Sequence, residues 1–372
     1  MKSWDAIIIG GGIIGLSLAL SLRKQGLRVL IVERGEPGRE ASHAAAGMLA
    51  GSGSEIPPAL RVLAEASARI YPEFVHELED ESGTRVDLRD QGTILLSRDG
   101  AGRFPDAAEP LSFEQLLALE PALAVAGRGR PAPQKASGEI AGSSADFSAA
   151  YLSERSVDPR GLVAAAIKAA HHRRVDVSSG SEVTGLLVAG NRVSGVQTDQ
   201  TSYAAPVVVN CAGAWAGTIG PLSFPVRPVK GQMLAVVGGH HLKHVIRGEY
   251  VYLVPRTNGR LVIGSTLEEL GYDKRTEVNT IRRLLHAAVE VAPGLSEAKI
   301  HDDWAGLRPG TPDELPILGE SELKGYFVAT GHFRDGILLA PITALVMTDV
   351  ILDKAPGYDL GSFLPGRFHS SQ

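Results

Sequence analysis

Gly10, Gly12 and Gly15 follow the apolar run Ala6-Ile7-Ile8-Ile9 in the spacing G-x-G-x-x-G. The first glycine allows a tight turn, the second lets backbone approach a phosphate, and the third lets a helix pack on a strand. Leu27 to Val32 then forms a second apolar run ending in Glu33, a carboxylate suited to the two hydroxyls of a ribose. The chemistry so encoded is the grip of a dinucleotide by its pyrophosphate. A carboxylate at that place repels a 2′-phosphate and disfavours NADP, although Arg34 stands beside it. Two arginines carry a second chemistry. Arg308, in Trp304-Ala305-Gly306-Leu307-Arg308-Pro309, and Arg334, in Gly331-His332-Phe333-Arg334-Asp335-Gly336, sit in apolar or glycine-rich company. A guanidinium fork binds a carboxylate through two hydrogen bonds, more strongly where water is excluded; the alternative is a structural salt bridge in the core. His332 is either a base or a residue that bonds its own loop, and the second reading is preferred.

The elements that must hold these residues follow from periodicity. A helix is expected from Ile13 to Gln25, stopped by Gly26. Helical periodicity resumes over Ala59 to Leu78 with an interruption at Pro72, and Gly92 to Leu96 reads as a strand. Ser112 with Gln115 makes a capping box, and Gly127 to Ser144 reads as a loop or crossing segment between domains. Asp158 caps a helix that has Pro159 at its first position and runs to about Ala170. Strands follow at Val175 to Val177, Glu182 to Val188 and Arg192 to Thr198, the last two joined by a turn at Ala189-Gly190-Asn191. Pro206-Val207-Val208-Val209 is a strand buried on both faces. The small residues after it, Asn210 to Trp215, form either a ligand-facing strand end or a tightly packed turn. Val226 to Val237, Tyr250 to Pro255 and Leu261 to Gly264 read as a separate antiparallel sheet, with a helix at Asn279 to Val291 and a strand at Ile300 to Leu307 before Arg308-Pro309-Gly310. Tyr326 to Ala329 and the apolar helix Gly336 to Leu352 close the chain.

Bulk properties set the class. A chain of 372 residues exceeds the usual single core, so two domains are expected. The net charge of −5 with no Lys/Arg block argues against nucleic acid and anionic membrane as partners. One cysteine, Cys211, leaves no disulfide framework, redox pair or thiolate zinc site and fits a reducing cytoplasm. The histidines lack ligand spacing, so no metal is expected. Ala6 to Leu22 is apolar enough to suggest a signal or anchor, but its glycines and Asp5 argue against both.

With a single G-x-G-x-x-G unit there is one dinucleotide, NAD or FAD, and the glycine pattern does not decide between them. The loop Thr330 to Gly336 favours FAD, because it follows a buried strand and opens a helix whose free N–H groups can face an electron-rich flavin. Gly10 to Gly15, Glu33, Ser42-His43-Ala44-Ala45-Ala46-Gly47-Met48-Leu49, Tyr252-Leu253-Val254-Pro255, the Arg308 segment and Gly331 to Leu338 together resemble the D-amino-acid oxidase superfamily, and within it the glycine oxidases of bacterial thiazole biosynthesis. The resemblance spans essentially the whole chain. It implies that Arg308 holds the substrate carboxylate, that the Tyr252 hydroxyl helps, and that Arg334 is a second basic group at the pocket. Leu267 stands where a bulky residue, usually methionine, limits substrate size, and His43 stands where a small hydroxyl residue is usual. Val183 falls where a backbone amide reads the adenine. The cofactor contacts implied are Gly10, Gly12, Ile13, Ile14, Gly15, Glu33, Arg34, Ser42, His43, Ala45, Ala46, Gly47, Met48, Val183, Cys211, Ala212, Gly213, Trp215, His332, Phe333, Arg334, Asp335, Gly336, Ile337 and Leu338.

The fold expected is α/β: a doubly wound, Rossmann-like FAD-binding domain (1–85, 146–224 and 309–372) interrupted by a second domain (86–145 and 225–308) of α+β type on an antiparallel sheet. The activity implied is oxidative deamination of glycine, sarcosine or another small D-amino acid by hydride transfer to flavin N5, with oxygen reoxidising the flavin to give peroxide. The competing reading is a D-amino-acid or 2-hydroxy-acid dehydrogenase that hands electrons to a quinone. The resemblance also implies a homo-oligomer.

Overall fold

The computed structural model describes residues 3–51, 56–98, 104–123, 147–239 and 241–368. Gly127 to Ser144, read from sequence as a crossing segment, lies outside them. One sheet has six strands in the order Ile317–Glu320, Tyr326–Thr330, Val207–Asn210, Ala6–Ile9, Val29–Glu33, Asp176–Ser179. All neighbours pair in parallel except Ile317–Glu320, which is antiparallel at the edge. The order reverses at Ala6–Ile9: the chain goes out to Val29–Glu33 and Asp176–Ser179 on one side, then returns to Val207–Asn210 on the other. Such a reversal opens a crevice at the carboxyl ends of the strands, where Gly10, Glu33, Cys211 and Gly331 emerge.

The period of two along Ala6–Ile9 sorts the two layers that cover this sheet. Ala6 and Ile8 pack under the helices Ile13–Lys24, Arg61–Ser82, Pro159–His172 and Gly336–Ile351. Ile7 and Ile9 face the opposite way, onto the antiparallel strands Val183–Ala189, Arg192–Thr198 and Ser202–Ala204. Burial on both faces explains why the strand is apolar throughout.

A second sheet has eight strands in the order Lys299–Gly310, Arg227–Val237, Arg260–Gly264, Tyr252–Pro255, Val245–Arg247, Thr93–Arg98, Phe147–Leu152, Glu109–Leu111. Its pairings are antiparallel apart from Val245–Arg247 beside Thr93–Arg98, which run parallel. Leu234, Val236, Leu253 and Ile263 turn one face to the helix Val278–Val291. Met233, Val254 and the neighbouring Tyr252 turn the other face to Ala46. Gly306 permits a close approach of the two bodies, since a Cβ there would lie 2.4 Å from the Ala44 Cβ.

Two prolines behave differently from the sequence reading. Helix Arg61–Ser82 runs unbroken through Pro72. Proline there deprives the Ala68 carbonyl of its helical donor, and Arg155 Nη1 supplies one at 3.4 Å. The strand expected to end at Leu307 continues to Gly310 through Pro309. It lies at the sheet's edge, where a missing N–H breaks no ladder. Among the described residues no helix is long and apolar enough to cross a membrane.

Candidate active site between the two sheets

The carboxyl ends of the parallel strands and the inner face of the eight-stranded sheet enclose a cavity of about 470 Å³. At one end Gly10 takes φ +104°, and a Cβ there would lie 2.5 Å from the Cys211 carbonyl oxygen, so backbone passes where no other residue fits. Helix Ile13–Lys24 begins at this point, its Ile13 N–H donating to Ser42 Oγ at 3.0 Å. Glu33 is buried, with Oε2 accepting from the Gly11 N–H at 2.8 Å and Oε1 from the Gly35 N–H at 2.9 Å. Each oxygen keeps a further acceptor position. Arg34 lies beside it but is engaged elsewhere: Nη2 pairs with Glu40 at 2.9 Å, and its guanidinium carbon lies 3.5 Å from the centre of the Trp215 ring. Ser181, 1% exposed and also lining the cavity, has a hydroxyl with no hydrogen-bond partner among the described residues.

Arg308 stands at the other end. Its Nη2 donates to Ser265 Oγ at 2.7 Å and its Nη1 to the Thr266 carbonyl at 3.2 Å. Among the described residues no carboxylate pairs with it. Burial, the largest influence, draws its pKa below the ordinary arginine value; the Tyr252 hydroxyl opposes this and Arg334 adds to it. Gly231 on the adjacent strand provides the guanidinium's seat, because a Cβ there would lie 2.2 Å from Nη1. Gly231→Ala is expected to push aside the flexible end of Arg308 and little else. The melting temperature should stay within about 3 °C while kcat/KM falls about tenfold or more. Steady-state kinetics beside a thermal melt checks both.

The sequence-selected residues mostly converge. Gly10, Gly12, Ile13, Ile14, Glu33, Arg34, Ser42, Ala45, Ala46, Gly47, Met48, Val183, Cys211, Ala212, Gly213, Trp215, Tyr252, Leu267, Arg308, His332, Phe333, Arg334, Asp335, Gly336 and Ile337 all line the cavity. Gly15, His43 and Leu338 do not. A Gly15 Cβ would lie 2.1 Å from the Gly10 carbonyl oxygen, so its place is under the turn as a packing residue. His43 turns to Arg39 Nη1 at 3.2 Å, with burial lowering its pKa. Leu338 is in the core beneath the helices. Arg334 is exposed at the rim, its guanidinium carbon 5.0 Å from the centre of the Phe333 ring, and Leu267 is half exposed there. His332 is 3% exposed with Nε2 3.0 Å from Thr343 Oγ1, and burial pushes its pKa down to about 3. Its ring partner thus lies in the helix Gly336–Ile351 rather than in its own loop, as the sequence reading had it, and the bond is structural. Burial pushes the Cys211 thiol up and keeps it protonated.

Sequence reasoning passed over Gly231, Ser265, Ser181 and Tyr250, all of which line the cavity. A glycine inside the strand Arg227–Val237 was the one signal available, since such a residue marks close approach of another group.

The family described as FAD dependent oxidoreductase (DAO) matches residues 5–350. The chain belongs to this family. The glycine oxidase of Geobacillus kaustophilus is 34% identical over 97% of this chain and 96% of its own. A crystal structure of glycine oxidase from that organism superimposes with a TM-score of 0.88 at 31% identity, covering 99% of each chain. The bifunctional protein ThiO/ThiG of Synechocystis is 36% identical over 98% of this chain, and the chain spans 54% of that protein's length. The hydrogen cyanide synthase subunit HcnC of Pseudomonas aeruginosa is 32% identical over 99% of this chain and 97% of its own.

The cofactor of this DAO-family enzyme is FAD, and the cavity has the features that such a group needs. Backbone at Gly10 approaches without side chains, a helix opens at the same point, and Glu33 offers acceptor positions to ribose hydroxyls. The orphaned Ser181 hydroxyl is a buried polar atom waiting for a partner.

Proposed function

We propose that the protein oxidises glycine and other small amino acids, with sarcosine and D-alanine among them, to the 2-oxo acid, the free amine (ammonia, or methylamine from sarcosine) and hydrogen peroxide. For glycine the balance is glycine, water and oxygen giving glyoxylate, ammonia and peroxide. The observation that carries this reading is Arg308, a half-buried guanidinium that lines the cofactor cavity and has no acidic partner among the described residues. A desolvated cation of that kind calls for an anionic ligand, and its fork matches a carboxylate. Ser265 and the Thr266 carbonyl fix the fork from behind, leaving its remaining N–H groups for the substrate. Tyr252 gives a hydroxyl on the same face of the sheet, and Leu267 at the rim restricts the side chain that enters. FAD, when bound, supplies the two-electron acceptor for the α-carbon hydrogen and its own reoxidation by oxygen. The protein's part is orientation and exclusion of water.

No proton acceptor is required beyond the neutral amine, which suits a site where His332, which alone among the described histidines lines the cavity, is held by Thr343. In this reading segments 1–85, 146–224 and 309–372 hold the cofactor, segments 86–145 and 225–308 hold the substrate, and the enzyme works in the cytoplasm as a homo-oligomer. The ThiO/ThiG relative supports a place in thiazole formation for thiamine. The test is a panel of glycine, sarcosine, D-alanine and larger D-amino acids scored by peroxide release in air. Peroxide from the small substrates is the expected result. Turnover only with an added quinone would make the protein a dehydrogenase instead.

A further inference from the structure

We infer that Arg256 is a positioning residue for the cofactor: by holding the Ala46 carbonyl away from the cavity it presents the Gly47 N–H to FAD. Arg256 follows the strand Tyr252–Pro255 and, by the period of two, shares the inner face with Tyr252 and Val254. Its side chain does not line the cavity; the residue is 6% exposed and lies behind the cavity wall. Nη1 donates to the Val157 carbonyl at 3.0 Å and Nη2 to the Ala46 carbonyl. Among the described residues no carboxylate forms an ion pair with it. Burial, the largest influence, draws its pKa down to about 10, with Asp158 and Asp87 opposing. Two separate carbonyls at fixed angles suit a planar fork better than an ammonium.

Both carbonyls flanking Gly47 are turned the same way. The Ala46 oxygen meets Arg256, and the Gly47 oxygen accepts from the Val157 N–H at 2.8 Å. In a trans peptide the C=O and N–H point in opposite directions, so fixing the Ala46 oxygen fixes the Gly47 N–H on the cavity side. Gly47 is buried and lines the cavity, and its N–H meets no acceptor among the described residues. A buried backbone donor without a partner is rare, so this one awaits an acceptor on the ligand. Glycine is needed here as well. Its φ is +75°, and a Cβ would lie 2.0 Å from the Val157 oxygen. A glycine peptide left unheld turns over easily, which is what the Arg256 bonds prevent.

The inference rests on FAD occupying this cavity, and its test compares purified wild-type holoenzyme with Arg256→Met, which keeps length without donors, and Arg256→Lys, which keeps one donor. Arg256→Met is expected to weaken FAD binding at least tenfold by flavin fluorescence and to abolish the FAD-dependent slowing of amide exchange over residues 44–49. Arg256→Lys should recover part of both. With FAD saturating, KM for the amino acid should stay within about twofold. Unchanged FAD affinity and exchange in Arg256→Met would overturn the inference, as would a lowered melting temperature with wild-type FAD affinity, because that pattern marks a purely structural role. Should Arg256→Met fail to fold, the wild-type exchange experiment decides: no slowing over residues 44–49 on FAD binding overturns it. Wild-type protein that takes up no FAD overturns the cofactor and the inference together, and differs in that the unsubstituted chain already fails.

Discussion

Arg308→Ala is expected to lower kcat/KM for glycine by about 10²–10³, almost entirely through KM, while the absorption spectrum of bound FAD stays that of the wild type. The guanidinium is half-buried, held by Ser265 and the Thr266 carbonyl at the cavity wall. A charge-assisted bidentate bond in a water-poor site contributes about 3–4 kcal/mol, and each 1.4 kcal/mol is a factor of ten. Removing the fork leaves the substrate carboxylate buried without a partner, so the loss falls on binding before it falls on chemistry. The apoprotein should fold, because the residues that lose a bond, Ser265 and Thr266, border the open cavity. Arg308→Lys should recover only part of the loss, since an ammonium offers a point charge where the site is shaped for a plane. Stopped-flow reduction by glycine at several concentrations separates affinity from the rate of the chemical step. An Arg308→Ala enzyme with wild-type KM would remove the clamp from the proposed mechanism.

The parts of this site that were legible in the sequence are those whose signal is local. Gly10, Gly12 and Glu33 are bound together by one strand, one turn and one helix, so their spacing alone carries their geometry. The same locality explains the capping box at Ser112 and Gln115 and the Asp158 cap, both of which the structure reproduces. Gly15 shows the limit of a motif: the spacing marks it with the cofactor residues, yet its hydrogen faces the Gly10 carbonyl and its work is packing. His43 and Leu338 lie within recognisable segments, but a segment reaches the cavity on one face only, and the opposite face belongs to the surface in one case and the core in the other.

What stayed hidden depends on pairing between distant strands. Gly231 matters because the register sets Val229 opposite Arg308 and so lays the arginine back across Gly231. The glycine itself signals a close approach there, but nothing near residue 231 says which group approaches. Pro72 and Pro309 were read by their intrinsic preference, and in both cases context prevailed: Arg155, from outside the helix, serves the orphaned carbonyl, and an edge position needs no donor. Arg256 is the plainest case, one of 37 basic residues with no local mark, whose role follows only from the two carbonyls it meets.

His332 has the largest expected effect on stability, and the effect depends on pH. The ring is buried against Thr343, and burial alone accounts for its depressed pKa of about 3. In the unfolded chain a histidine takes up its proton near pH 6.5. Between those values the unfolded state binds more protons than the folded state, so stability is fully present above about pH 6.5 and is lost as pH falls toward 3. The slope is about 1.4 kcal/mol per pH unit, or about 2 kcal/mol by pH 5. His332→Asn, which keeps a polar group for Thr343 and cannot titrate, should therefore be somewhat less stable than wild type at pH 7.5 through imperfect packing, yet lose about 2 kcal/mol less on going to pH 5. Thermal melts of the holoenzyme at the two pH values give the comparison. The same substitution should leave the pH dependence of kcat/KM unaltered, because a ring that stays neutral throughout the working range cannot be the group whose titration shapes the rate. A variant that moved the kinetic profile but not the acid stability would return His332 to the role of base.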